Sequence, residues 1–552
     1  MSTRRASIAI TVSLALTLLS ISASGQSTPT QAVNSDKPTV AAQGPRPVNQ
    51  ENKLVDDPPK PGDPKPGDLE SQVAAVKAEN EAFRESLRKM EEQQKVLLEM
   101  VDRLQRRLDG VAIADVSGTA QPLGSPKETE VPAQAVPAAV ALSPSDSTAQ
   151  PKPADDDRYQ DGIVIWKNSD DAKVPFLLRF NNNTQIRYLN TLNSDDTFTD
   201  HLGVVREVHR RNDITVNRSM FILGGYMFSK KLQYSLTVWT SAGAASIVVA
   251  GNIGYRFNKA LTITGGYTGV PGSRSLVGTF PFFQQTDRSM ADNFFRPGFT
   301  QGIWANGEPV KGLNYLVFVG NGLNTLSITA NKIDTSLLFS GSTWWEPLGP
   351  YSEPGKSRQM YDDYFASSKT RIRLGTSFTR SREDRFSDID QSSPDNTSIY
   401  NSDGVLAFST GAFAPGVTVQ EATYRMWAMD GGLKKSGFSV NGQYFMRWLS
   451  DFKADGPLPL TSTFDHGFEL SSGKFVVPQK LMLYVRGSKV FGQFANPYEY
   501  GAGVKWYFLP TERLWVTGEV MRVKGAPYSG AFSPYTAGMS GWVPMVQTIL
   551  AF

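Results

Sequence analysis

The chain has 552 residues, no cysteine and a formal net charge of +3. Lacking cysteine, it holds no disulfide scaffold, thiolate metal site, thiol nucleophile or cysteine-linked lipid. One aromatic side chain, Phe83, lies in the first 157 residues, which carry 17 basic and 22 acidic groups, while fifty-nine aromatics follow in a region with a balance of +8. The first region is too poor in aromatics to build a packed core. The second is too sparsely basic for nucleic acid, which is excluded as a partner.

In chain order, residues 1–25 have the form of a secretory signal peptide: Arg4 and Arg5, an apolar run from Ile8 to Ile21, and Ala23-Ser24-Gly25 before Gln26. The apolar run spans about 21 Å as a helix, short of a ~30 Å hydrocarbon core. Residues 26–67 are Pro-rich and residues 110–157 rich in Ala, Pro, Ser and Thr, and both read as disordered linkers. Between them, 68–109 carries a heptad pattern: Leu69, Val73, Val76, Asn80, Phe83, Leu87, Met90, Gln94, Leu97, Val101, Leu104 and Leu108 fall at a and d positions. This predicts a self-associating α-helical coiled coil roughly 60 Å long, with Asn80 and Gln94 setting register at some cost in stability.

From Pro175 onward the period changes to two. Leu232, Tyr234, Leu236 and Val238 alternate with polar neighbours, as do Phe438, Val440, Tyr444, Met446 and Trp448 against Ser439, Asn441, Gln443 and Arg447. Asn321-Gly322, Gly431-Gly432 and Pro510-Thr511 read as turns, with no helical pattern between strands. A second face this rich in Arg, Gln, Asn and Ser suits a water-filled lumen better than the outside of a soluble sandwich. Trp344-Trp345, Trp506-Tyr507, Tyr498 and Tyr500 suit interfacial girdles, and Phe552 ends an alternating last strand. Residues 158–552 are therefore expected to form an all-β transmembrane antiparallel β-barrel of sixteen strands, a length that eighteen would also fit, in the bacterial outer membrane, with the coiled coil in the periplasm.

GFELSSGKFVVPQKLMLYVRGSKV (467–490), NPYEYGAGVKWYFLPTERLWVTGEVMRV (496–523) and VPMVQTILAF (543–552) resemble the phosphate-selective porins O and P; so do TITGGYTGVPG (262–272), TDRSMADNFFRPGFTQGIWANG (286–307) and YLVFVGNG (315–322). The resemblance implies a trimeric sixteen-stranded channel with arginines on the lumen wall and on an inward-folded loop. It places a loop arginine at Arg288 and the second of an arginine pair at Arg218, where the first is Asn217. It replaces a first-strand arginine by Asn183, flanked at four residues by Arg179 and Arg187. The family's lysines near Gly266–Pro271 are absent, and its Pro-Gly-Arg reads Pro297-Gly298-Phe299. These departures predict a broader channel with mild anion preference in place of tight phosphate binding. By alternation alone, Arg371 and Arg373 join the candidates.

No cofactor or metal is called for. The three histidines, His201, His209 and His466, fall in loops or at a strand start, and no Gly-x-Ser-x-Gly or His-Glu-x-x-His occurs. A passive porin for small hydrophilic solutes outranks a barrel hydrolase. The other reading is a structural barrel tethered to the envelope through its coiled coil. Expected partners are outer-membrane lipid, further copies of the chain, small inorganic or organic anions, and the cell wall.

Overall fold

The computed structural model describes Tyr159 and residues 161–552, except 170, 242–245, 279, 326–327, 353–359, 388–390 and 531, together with Arg88. The expected signal peptide, both linkers and all twelve heptad positions lie outside the described residues.

Among the described residues the period-2 pattern becomes nineteen strands: β1 (Ile163–Lys167), β2 (Phe176–Asn190), β3 (Thr197–Thr199), β4 (Val205–Glu207), β5 (Asn212–Met227), β6 (Ser229–Ser241), β7 (Ser246–Asn258), β8 (Leu261–Gly269), β9 (Phe299–Val310) and β10 (Leu313–Asn321). They continue as β11 (Leu337–Trp345), β12 (Arg371–Asp384), β13 (Val419–Lys435), β14 (Phe438–Ala454), β15 (Ser462–Val477), β16 (Leu481–Phe491), β17 (Tyr498–Trp506), β18 (Leu514–Lys524) and β19 (Gly541–Ala551). Sixteen of these, β2 and β5 to β19, pair antiparallel in chain order, and β19 pairs back onto β2. The sheet is a closed sixteen-stranded antiparallel barrel, as expected. Closure leaves no sheet edge, so backbone groups are satisfied without water.

The closing seam is shared by both ends of this region. β19 pairs with β2 from Asn183 to Leu189, while β1 takes Leu177 to Phe180 along the same edge. Phe552 fills the gap between them by exchanging backbone hydrogen bonds with Asn182 at 2.9 and 3.0 Å, its ring edge-on to Phe180. β3 and β4 form a small hairpin in the β2–β5 connection.

The outer face is apolar, with Ile214 76% and Ile247 73% exposed, and Ile253, Ile303, Val317 and Leu374 exposed around the wall. Such a surface suits hydrocarbon. Trp345, Trp506, Tyr498 and Tyr500 lie on this face, but Trp344 and Tyr507, their partners in the expected girdles, point inward and are buried. One residue along a strand reverses the face. An outer aromatic band not singled out in the sequence runs through Trp448, Phe464, His466 and Phe491 on β14 to β16.

The inside also departs from expectation. Trp304, Leu316, Phe318 and Leu338 of β9 to β11 are buried lumen-side and join Phe445 and Leu449 of β14 in an internal apolar cluster. Part of the aromatic content thus fills a core within the barrel. Gly431-Gly432, expected as a turn, lies inside β13. A Cβ on Gly432 would come within 2.5 Å of the Tyr351 hydroxyl, so this glycine makes room for the β11–β12 connection.

A candidate lumen constriction

The connection 270–298 leaves β8 and crosses the lumen. Apolar anchors tie it to three parts of the wall. Phe294 and Phe295 pack in the cluster of β9 to β14, Met290 packs with Leu189, Met521 and Met545, and Phe282 packs with Met482, Tyr484 and Trp515. A one-and-a-half-turn helix, α1 (Met290–Phe295), begins at Ser289, whose Oγ accepts from the Asp292 N–H at 3.0 Å. The orphan N–H groups of its first turn donate to the wall, Met290 to Glu499 at 2.9 Å and Ala291 to Ser488 at 3.2 Å.

On β5 the register shifts by one residue between Gln185 and Ile186 of β2, leaving Asn217 as the extra residue of a bulge. Both Asn217 and Arg218 consequently turn inward, although simple alternation would separate them. Arg187 and Arg218 each donate to the same Asp287 carboxylate oxygen at 3.2 Å. Asn217 steadies the pair by accepting from Arg187 at 2.9 Å and donating to Gln185 at 3.1 Å. Burial pushes the Asp287 carboxyl up, but Arg218, Arg187 and Arg288 outweigh it and hold it down at about 2. Arg288 donates to the Ser275 hydroxyl at 3.1 Å and sits 3.6 Å from Asp292. Burial, followed by the like charges of Arg296 and Arg218, pulls its guanidinium down to about 9.

Beside these groups lies a cavity of about 330 Å³. Arg218, Arg288, Arg296 and Arg447 line it together with Trp239 and Phe532. Arg447 donates to Asp465 at 2.7 Å and lies over the Phe294 ring at 4.0 Å. The remaining candidates are elsewhere. Arg179 is buried near Asp161, Arg371 donates to the Leu348 carbonyl, and Arg373 pairs with Asp430 at 2.9 Å over the Trp344 ring. Arg179, Arg187, Arg371 and Arg373 share the lumen-side parity of their strands, Arg218 joins them beside the bulge and Arg288 comes in on the connection; three of the six gather at the 270–298 crossing: Arg187, Arg218 and Arg288. Arg447 was visible in the sequence only as one polar residue of an alternating strand, and Arg296 only as the residue before Pro297-Gly298.

The opposite end of the lumen is also filled. The β11–β12 connection, 346–370, lies at the end of the barrel where the other connections are short, and its described part turns inward. The Tyr361 N–H donates to the Phe282 carbonyl at 3.1 Å, and Lys505 bridges the Asp362 carboxylate at 2.7 Å to the Phe283 carbonyl at 2.8 Å. Lys434 donates to the Met360 carbonyl at 2.6 Å, and Arg274 lies over the Tyr361 ring at 4.1 Å. Two segments, one from each end, meet in the lumen. Lumen-side groups such as Arg187, Lys505 and Arg373 are 0% exposed beside these segments.

The histidines do not converge. His201 bonds Asp403 at 2.5 Å between two connections and stacks on Phe494, His466 bonds Tyr444 at 2.6 Å on the outer face, and His209 is exposed.

No protein-family model and no curated protein matches the chain. Among solved structures, it is similar to the outer-membrane-expressed OmpT of Vibrio cholerae, at 11% identity over 70% of this chain and 99% of the other, with a TM-score of 0.42. It is similar to the anion-selective porin of Comamonas acidovorans at 11% identity, 69% and 99% coverage, and a TM-score of 0.40. Salmonella typhi OmpF matches at 11% identity, 70% and 100% coverage, and a TM-score of 0.41.

Proposed function

We propose that this protein is an outer-membrane porin through which small hydrophilic solutes diffuse passively, with anions preferred. The observation that carries this reading is the inside-out polarity of a closed barrel. Apolar side chains cover the outside, while Arg187, Arg218 and Arg288 meet in the lumen where connection 270–298 crosses it. A guanidinium stays charged in such a site and offers several donors to an oxyanion. Asp287 already occupies Arg187 and Arg218, which favours mild preference over tight phosphate capture. The trimeric assembly, and a periplasmic coiled coil over 68–109 touching the cell wall, belong to the same reading and are supported by the heptads and the resemblance alone.

The test is planar-bilayer conductance of the full chain across a potassium chloride gradient. The reversal potential should favour chloride, and Arg218→Gln with Arg288→Gln should reduce that preference. Potassium preference in the wild type would refute the anion reading, and no conductance would refute the channel.

A further inference from the structure

Within the cavity at the constriction, the arginines divide by what they already hold. Arg218 has Asp287, Arg288 has Asp292 and Arg447 has Asp465. Arg296 stands apart. It caps the C-terminal end of α1, is half-buried and lines the cavity, and its guanidinium has no hydrogen-bond or ion-pair partner among the described residues. It lies near enough to Arg288 and Arg218 to act on both as a like charge. A cluster of guanidiniums with one member uncompensated is stabilised by an incoming anion.

Besides these arginines and several Asn, Ser and Thr side chains, the wall carries a group of aromatic rings. Trp239 packs against Phe299 with ring centroids 5.8 Å apart and against Phe532 at 5.1 Å. Arg218 lies over Phe280 at 5.1 Å and over Phe532 at 5.5 Å. The buried Tyr267 hydroxyl and Trp239 indole N–H, both on cavity-lining residues, lack partners among the described residues. Phosphate could use the arginines, but the part of its surface turned to the rings would lose hydration without replacement. A flat apolar body attached to one negative group would bury its body against those rings and leave its charge to Arg296. The volume, about 330 Å³, suits a molecule of that size.

We infer that this cavity is a binding site for small aromatic monocarboxylates, with Arg296 as the group that takes the carboxylate. The inference rests on the porin reading and names the class of solute that the constriction retains.

Benzoate is the probe, its neutral isostere benzamide and inorganic phosphate are the controls, and the full chain is used throughout. Binding is read from intrinsic tryptophan fluorescence in detergent, and block of chloride current is read separately in bilayers. Benzoate should quench saturably, benzamide at least tenfold more weakly, and phosphate should not compete. Arg296→Gln should weaken benzoate at least tenfold, and Arg296→Lys should restore part of the loss. Heat-modifiable gel migration shows that each variant is folded. Equal binding of benzamide, displacement by phosphate at the benzoate concentration, or unchanged benzoate affinity in folded Arg296→Gln would overturn the site. Arg296-dependent benzoate binding in a protein that carries no current would uphold the site and remove the channel. Current without benzoate binding would do the reverse.

Discussion

Asp287→Asn keeps the shape of the constriction and removes one charge. Asp287 is buried, and its Oδ2 faces Arg187 and Arg218 at 3.2 Å each. The folded protein holds this carboxyl at about 2, against an ordinary 3.8. A depression of nearly two pH units corresponds to about 2.5 kcal/mol favouring the charged form. Breaking a buried pair by deleting one partner costs about 3–5 kcal/mol where water cannot enter. The lumen lies between these limits, and a loss of roughly 2.5–4 kcal/mol is expected. The assay is urea unfolding of refolded full-length protein, followed by tryptophan fluorescence. Because the folded value lies below the unfolded one, the stabilisation by Asp287 is complete above about pH 4 and is lost as pH falls through about 2. The gap between wild type and Asp287→Asn should therefore be wide at neutral pH and should close over that acidic window. Equal stabilities at neutral pH, or a gap unaffected by acid, would refute the shared-carboxylate account. The same variant frees Arg187 and Arg218 and should move the reversal potential further towards chloride.

Lys505→Gln should release the inward β11–β12 connection. It removes the ammonium between Asp362 and the Phe283 carbonyl, so single-channel conductance should rise and folded stability should fall by about 3 kcal/mol. Val317→Arg places a charge on the lipid face near the middle of β10 and should cost about 2–4 kcal/mol in urea unfolding from bilayers. Val317→Phe at the same position should cost little.

The barrel was legible because its signal repeats. Alternation along β6, β12, β14 and β16 identifies the outer and inner faces without tertiary information, and Phe552 marks the closing strand. What alternation cannot convey is contact across the lumen. Gly431-Gly432 reads locally as a turn, and only Tyr351, about eighty residues earlier, explains it as clearance within β13. Trp344 and Trp345 look alike in sequence, yet one lies under Arg373 and the other faces outward. The Asn217–Arg218 bulge breaks the parity on which lumen residues are counted. Arg296 escapes for a related reason: its significance lies in the partners its neighbours have and it lacks among the described residues.

The seam on β2 has a consequence for assembly order. Gln185 and Gln547, 362 residues apart, bond side chain to side chain across it, with β1 and Phe552 meeting along the same edge. Loop-closure entropy grows only slowly with length, so this distance is a modest thermodynamic burden and a large kinetic one. Every intermediate that has paired β2 through β18 presents two open β edges, competent to pair with another chain, until the final strand arrives. Since β1 and the C-terminal residues occupy adjoining stretches of one edge, joining them through a short linker and opening the chain at the β5–β6 turn would preserve every strand pairing. In such a permutant the present seam would become a local hairpin, and the last, slowest pairing would move to β5 and β6.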